Sequence, residues 1–307
     1  MSAAGPPQGA PPPGEAAHRA VRGDLGAADP AVLVVAAPAK VNLFLHVTGQ
    51  RADGYHTLES LFALVDLADT IALRRRDDGV IARSNDVPGI AADADLSVRA
   101  AKALQAMTRT AFGVDLAVTK RIPQGAGLGG GSSDAASVLL ALNRLWALHL
   151  PRSRLIDVAL TLGADVPFFI GGTPAVARGI GEVLAPVSMP AQWMVIARPT
   201  AMVRTADIFA APELTRNTAS AKIDVFSEGY GHNDLQVATI SRAPEVGHAI
   251  RALQNLAPHA RMTGSGACAI AMCASEMEAR RVVASLSPSI EGHVARTIAR
   301  HPLASFA

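Results

Sequence analysis

At 307 residues the chain has length for about two domains. Half of it is hydrophobic, a figure swollen by alanine, and its richest stretch, Ile156 to Gly172, is broken by Asp157, Gly163, Asp165 and Pro167, short of the roughly 18 uninterrupted apolar residues of a membrane span. A net charge of +2 and 4% aromatic residues make no case for nucleic acid, and a soluble chain is expected.

Residues 1–30 are rich in Ala, Pro and Gly, with Pro11-Pro12-Pro13 and almost no large apolar side chains. Such a segment cannot bury enough surface to offset its ordering entropy. It reads as a disordered extension, or as a start assigned too far upstream. It has no signal-peptide core. Val32 to Ala36 and Val41 to Val47 read as strands, and Arg51-Ala52-Asp53-Gly54 as a turn. Leu58 to Leu67 and Thr70 to Arg74 continue the strand character. Leu96 to Thr108 carries a helical repeat. Val114 to Lys120 is a strand that enters a glycine-rich run.

That run, Pro123-Gln124-Gly125-Ala126-Gly127-Leu128-Gly129-Gly130-Gly131-Ser132-Ser133-Asp134, is the most informative feature. Five of the nine residues from Gly125 to Ser133 are glycine, and an Ala/Leu-rich helix follows at once, capped by Ser132 or Ser133. Glycines let backbone N–H groups turn inward on a phosphate, and a helix N-terminus adds free donors and a positive dipole end. A Walker A loop would need Gly-Lys-Ser/Thr, which is absent. A dinucleotide fingerprint would need an acid about 20 residues on, where this chain offers arginines. A flexible linker would not abut a capped apolar helix.

Arg152 to Thr161 reads as a helix ending at Gly163. Phe168 to Ile170 and Ala175 to Arg178 read as strands, then Trp193 to Ala197. A polar middle leads to a helix over Glu245 to Leu256, a strand over Ala267 to Cys273, a helix over Glu276 to Ser285 and a last strand near Val294. Strands and helices mix without strict alternation, which indicates α+β in two lobes. The expected boundaries are 31–185 and 186–307.

Several residues carry possible chemistry. Lysine occurs only at Lys40, Lys102, Lys120 and Lys222. Lys40 and Asn42 share one strand face, which is a solvated edge or a site. Tyr55-His56 follows a turn, where it is surface decoration or a ring-stacking pair. Asp165 sits between a glycine and Val-Pro-Phe-Phe, so it is a carboxylate against an apolar wall, either structural or functional. Thr263-Gly264-Ser265-Gly266 is a second glycine turn, suited to a ligand, to the other lobe, or to a plain tight turn. Cys268 and Cys273 give no disulfide framework, so a reducing cytoplasm is the default.

In this order, Pro38-Ala39-Lys40-Val41-Asn42-Leu43, the turn ending Asp53-Gly54-Tyr55-His56, the glycine run, Leu162-Gly163-Ala164-Asp165-Val166-Pro167 and Thr263-Gly264-Ser265-Gly266 resemble the GHMP kinase superfamily. Within it they resemble the 4-diphosphocytidyl-2-C-methyl-D-erythritol kinase family, from about Pro38 to Val294. The resemblance implies a ribosomal-protein-like nucleotide lobe, a ferredoxin-like lobe and an active site in the cleft. It implies transfer of the ATP γ-phosphate to the 2-hydroxyl of a cytidylated methylerythritol, in the non-mevalonate route to isoprenoid precursors. Asp165 matches the catalytic base and Lys40 the cation beside it. ATP would be held by residues 123–133 (Pro123, Gln124, Gly125, Ala126, Gly127, Leu128, Gly129, Gly130, Gly131, Ser132, Ser133), with Lys120 at the nucleotide site and Leu96 near the adenine. Asp95, an anion where some relatives carry asparagine, cannot donate to the base. Asp134 would cap the helix or sit near Mg²⁺, whose ligands are otherwise unassigned. Asn42, Tyr55, His56 and Phe209 match the cytidyl site, with Tyr55 and Phe209 sandwiching the ring and His56 reading its edge. A monomer or weak homodimer is expected. The rival expectations are a homoserine- or mevalonate-type kinase, and a nucleotide-binding protein without catalysis.

Overall fold

The computed structural model describes residues 31–220 and 230–307. The expected extension over 1–30 and Lys222 lie outside them. The chain opens with two long antiparallel strands, β1 (Val32–Gln50) and β2 (His56–Arg76), joined by a tight turn. Each expected pair of short strands is thus one strand. Register shifts at Pro38/Lys40, Asn42/Leu45 and Val47/Gly49 let β1 bend without ending, and Pro38 lies at the first of them, where a missing N–H is tolerated.

Next come β3 (Ile81–Arg83), α1 (Leu96–Thr108) and β4 (Gly113–Thr119), then α2 (Gly130–Leu145), α3 (Arg152–Leu162) and α4 (Val166–Gly171). The segment expected as a strand at Phe168 to Ile170 is therefore helical. Pro167 sits in the first turn of α4 and Gly172 closes it at φ +74°. A short run buried on every side has no two-residue alternation to separate strand from helix. Helix α2 packs on β1 and β2 and α1 on β3 and β4, α3 and α4 pack against these helices, and together they build the first core around Leu64, Leu73, Leu104, Leu116, Leu139 and Phe169.

Strands β5 (Ala175–Arg178) and β6 (Val183–Pro186) extend the sheet beside β2. The rest contains β7 (Trp193–Pro199), α5 (Thr205–Phe209), α6 (Leu235–Arg242), α7 (Pro244–Gln254), β8 (Arg261–Met262), β9 (Ala269–Cys273), α8 (Glu276–Ala284) and β10 (Ile290–Ile298). Counting β7, α7, β8, β9, α8 and β10, this is a strand–helix–strand–strand–helix–strand plait with strand order β10-β7-β9-β8. Its core gathers Val195, Leu235, Val246, Ile250, Leu253 and Met262, and takes in Leu45 and Val47 of β1.

Strand β10 pairs with β7 along its length and with β2 at Thr297 and Ile298, so one ten-stranded sheet runs through both lobes. A third core lies where they join, with Val41, Leu43, Leu61, Val65, Met194, Ile196 and Ile270. Ala126 and Leu128 of the glycine run belong to it. The run is therefore a pinned loop: its glycines turn and its apolar residues plug the junction. No helix among the described residues is long and apolar enough to cross a membrane.

Candidate active site

Three glycines shape the loop, with φ of +66° at Gly125, +76° at Gly127 and +70° at Gly129. The backbone N–H of Lys40 donates to the Leu128 carbonyl at 3.0 Å, tying the loop to β1. Helix α2 starts at Gly130, with Gly129 as its N-terminal cap and no side-chain hydrogen bond there. Neither serine is the cap. Ser133 is already in the helix, its N–H bonded to the Gly129 carbonyl and its hydroxyl donating to the Pro38 carbonyl at 2.6 Å. Ser133 is fully buried and does not reach a cavity, contrary to expectation.

The loop divides two cavities. The larger, about 930 Å³, is lined by Lys40, Asn42, Tyr55, His56, Phe209 and Asp165, with Thr205, Arg216 and Ser265. The smaller, about 560 Å³, is lined by residues 122–132 with Leu96, Lys120 and Asp134. Gly127 and Gly129 border both. Apart from Ser133, every expected site residue lines one cavity or the other. Across the loop stands the turn at Thr263 to Gly266, close enough that a Cβ on Gly264 would lie 2.8 Å from the Gly127 carbonyl oxygen. The small residues of both turns thus let the lobes meet backbone to backbone.

Lys40 lines the larger cavity and packs against Gly129, which borders both. Its Nζ donates to Asn42 Oδ1 at 2.8 Å, stands 3.6 Å from Asp165 Oδ2 and rests 4.4 Å from the Phe62 ring centroid. The two-residue period of β1 puts Lys40 and Asn42 on one face, as expected. Asn42 Nδ2 donates to Ser60 Oγ at 2.7 Å, and Ser60 donates to the Phe44 carbonyl at 2.5 Å. Serine at this position therefore fixes which end of the buried amide faces the lysine. Asp165 precedes α4, makes no capping hydrogen bond, and keeps a third of its side chain exposed. A carboxylate held beside an ammonium, with its remaining lone pairs turned to a cavity, can accept a proton.

In the smaller cavity Lys120 bridges Asp69 and Asp134, at 2.6 Å from Asp134 Oδ2. Asp69 is wholly buried and also receives the backbone N–H groups of Arg121 (2.5 Å) and Ile122 (2.8 Å), fixing the approach to the loop. Burial pulls the Lys120 ammonium pKa down, but Asp134 and Asp69 outweigh it and the net shift is upward. Burial drives the Asp134 carboxyl well up, with Lys120 opposing and Asp69 reinforcing, because two acids share one ammonium. Asp134 does not cap α2, and its Oδ1 has no hydrogen-bond partner among the described residues. Asp95 caps α1 through the Ser97 N–H and pairs with Arg83 at 2.8 Å, so both of its oxygens are engaged within the protein.

At the far wall of the larger cavity Tyr55 is 63% exposed and stacks on nothing among the described residues. Phe209 stacks on His56, with centroids 5.3 Å apart and planes 27° apart. Burial, then Arg216, lowers the His56 pKa. Sequence reasoning missed Ser60, Asp69 and Arg216. A lone acid within the apolar strand Leu67 to Leu73 was a readable signal for Asp69. Arg216 lies in a polar stretch without periodicity and gave none.

The GHMP kinases N terminal domain family matches residues 95–173, and the GHMP kinases C terminal family residues 214–289. The chain is 55% identical over 270 residues to the 4-diphosphocytidyl-2-C-methyl-D-erythritol kinase of Thiobacillus denitrificans, covering 88% of this chain and 97% of that one. The protein of the same name from Cupriavidus metallidurans is 51% identical over 276 residues, covering 88% and 94%. A crystal structure of 4-(cytidine 5'-diphospho)-2C-methyl-D-erythritol kinase superposes with a TM-score of 0.78 at 33% identity, over 86% of this chain and 99% of that one. The chain therefore belongs to the GHMP kinases and, within them, to the 4-diphosphocytidyl-2-C-methyl-D-erythritol kinase family.

Proposed function

We propose that the chain transfers the γ-phosphate of ATP to the 2-hydroxyl of 4-(cytidine 5'-diphospho)-2-C-methyl-D-erythritol, giving the 2-phosphate and ADP, a step toward isoprenoid precursors by the non-mevalonate route. The observation that carries this reading is the Lys40–Asp165 pair, 3.6 Å apart, in the larger cavity, with Lys40 packed against Gly129, which borders both cavities. The smaller cavity is read as the ATP site and the larger as the alcohol site, with residues 31–185 as the nucleotide lobe and 186–307 as its partner.

ATP enters with its adenine between Leu96, Val118 and Ile122 and its phosphates over the loop. Gly129, Gly130, Gly131 and Ser132 offer backbone donors at the positive end of α2. The substrate lies across the larger cavity, its base near Tyr55, His56 and Phe209 and its tertiary alcohol at Asp165. A tertiary alcohol is a weak nucleophile, so Asp165 takes its proton as the P–O bond forms, an effect worth roughly 10²–10⁴-fold. Lys40 orients Asp165 and stabilises negative charge on the transferring group.

Mg²⁺ fits the donor set beside the loop. The unpartnered Asp134 Oδ1 and the Ser132 hydroxyl are hard oxygen ligands at the same cavity. Among the described residues no group of three or more acidic, His or Cys side chains forms a dedicated cage, which suits an ion held largely by phosphate and water. When bound with ATP it would neutralise phosphate charge.

The base-binding wall argues against homoserine or mevalonate, which have no ring to stack. The Lys40–Asp165 pair argues against a protein that binds nucleotide without catalysis. Product formation from ATP with each of the three alcohols decides between these readings. Turnover of homoserine or mevalonate, but not of the cytidylated compound, would overturn this one.

A further inference from the structure

Arg216 reaches the larger cavity from the segment after α5, and each of its three guanidinium nitrogens is committed. Nη1 donates to the Leu214 carbonyl at 3.0 Å, and Nη2 to those of Ala211 (2.7 Å) and Phe209 (3.3 Å). Nε stands 3.0 Å from His56 Nε2. A guanidinium has donors and no acceptor, so in this contact the imidazole nitrogen must accept. A neutral imidazole with one accepting nitrogen carries its proton on the other.

We propose that Arg216 is a positioning residue that holds His56 as the neutral tautomer protonated on Nδ1, making the ring a fixed hydrogen-bond donor to a pyrimidine whose N3 is a bare acceptor. This rests on the reading above that the substrate base sits at Tyr55 and His56. Phe209, stacked on one face of the imidazole, holds its plane, and Arg216 also grips the Phe209 carbonyl. Nδ1 meets no acceptor among the described residues, so its N–H is the polar group the ring has left to offer a ligand. Burial, and then Arg216, lowers the His56 pKa, in keeping with a contact where an imidazolium would set N–H against N–H at Arg216. Cytosine presents a lone pair at N3. Uracil presents N3–H, which would meet Nδ1–H donor to donor and leave both unpaired. Sites built around a buried hydrogen bond reject a ligand that cannot complete it far better than apolar pockets reject a misfit.

The test joins a spectroscopic readout to a kinetic one. Nitrogen chemical shifts of ¹⁵N-histidine in the full-length protein, assigned to His56 by their loss in His56→Gln, should show a protonated Nδ1 and a bare Nε2. A proton on Nε2 in the wild-type protein overturns the proposal. Kinetically, kcat/KM for the cytidylated substrate should exceed that for its uridylated counterpart by roughly 10²-fold or more. Arg216→Met should cut that ratio at least about tenfold and move the proton toward Nε2, with KM for ATP changed less than about twofold. An Arg216→Met enzyme that binds ATP normally and keeps the full ratio also overturns it. Should Arg216→Met fail to fold, the wild-type nitrogen shifts still decide. If the wild-type enzyme shows the Nδ1 proton but does not phosphorylate the cytidylated compound, the assigned reaction falls and the tautomer assignment stands.

Discussion

Replacing Gly127 with alanine tests how the two glycine turns are held together. At φ +76° an L-residue meets its own backbone, a cost of about 1–2 kcal/mol. The new Cβ would also lie 3.0 Å from the Gly266 carbonyl oxygen and 3.3 Å from that of Thr263. These are backbone atoms, and the Thr263 turn is anchored through its hydroxyl, which accepts from the Asn42 N–H at 2.7 Å and donates to the Asn42 carbonyl at 3.2 Å. No side chain can rotate away to relieve the contact, so overpacking adds about 1–3 kcal/mol. Urea unfolding of Gly127→Ala should thus show a loss of roughly 2–5 kcal/mol. Gly131→Ala is the contrasting case. It lies in α2, where among the described residues its Cβ would meet Leu96 Cδ1, at an ordinary contact of 3.4 Å, and alanine there gains up to about 1 kcal/mol of helix propensity. It should fold at least as well as the wild type while raising KM for ATP, because the methyl group covers donors read as holding phosphate. Wild-type stability in Gly127→Ala, within about 0.5 kcal/mol, would refute the picture of two backbones in contact.

Three further outcomes are expected. Tyr55→Ala should leave stability within about 0.5 kcal/mol, since the side chain is exposed, yet raise KM for the cytidylated substrate about tenfold through lost base stacking, with KM for ATP unchanged in steady-state assays. Ser60→Ala removes the partner that tells the two ends of the Asn42 amide apart, leaving a buried donor unpaired, so kcat should fall about tenfold and stability by about 1–3 kcal/mol. His301 accepts the Leu303 N–H on Nδ1 and sits 3.3 Å from Ser137 through Nε2. Burial, and then Arg152, pushes its pKa down to about 4 from 6.5. Because the folded value is depressed, its contribution is full above about pH 6.5 and is lost as pH falls toward 4. Between pH 7 and 5 that amounts to about 2 kcal/mol, and urea titrations should show this fall shrinking in His301→Gln.

Much of the candidate site's geometry was legible because it rests on short-range rules. A two-residue period placed Lys40 beside Asn42, and glycine chemistry marked the loop. Helix α1 was bounded correctly, from Leu96 to Thr108, by its apolar repeat, with Asp95 at its cap. Failures came where local signals were absent or ambiguous. Serines after a glycine run suggested a cap, but Gly129, adopting a positive φ, lets the helix begin earlier and carries Ser133 inside it. Phe168 to Ile170 is buried throughout, so periodicity could not separate helix from strand. Arg216 acquires its role from partners at Phe209, Ala211, Leu214 and His56 that only the folded chain brings together. The same holds for Ser60, which meets Asn42 by pairing of β1 with β2.

The most direct test of the central claim is the rate of phosphoryl transfer by Asp165→Asn, measured with ATP and the cytidylated substrate at saturation alongside ATP affinity by titration. Asparagine keeps the shape and removes the proton acceptor, so kcat should drop by roughly 10²–10⁴-fold while the Kd for ATP moves less than about twofold. A variant whose kcat stays within about tenfold of the wild type would contradict the assignment of Asp165 as the base.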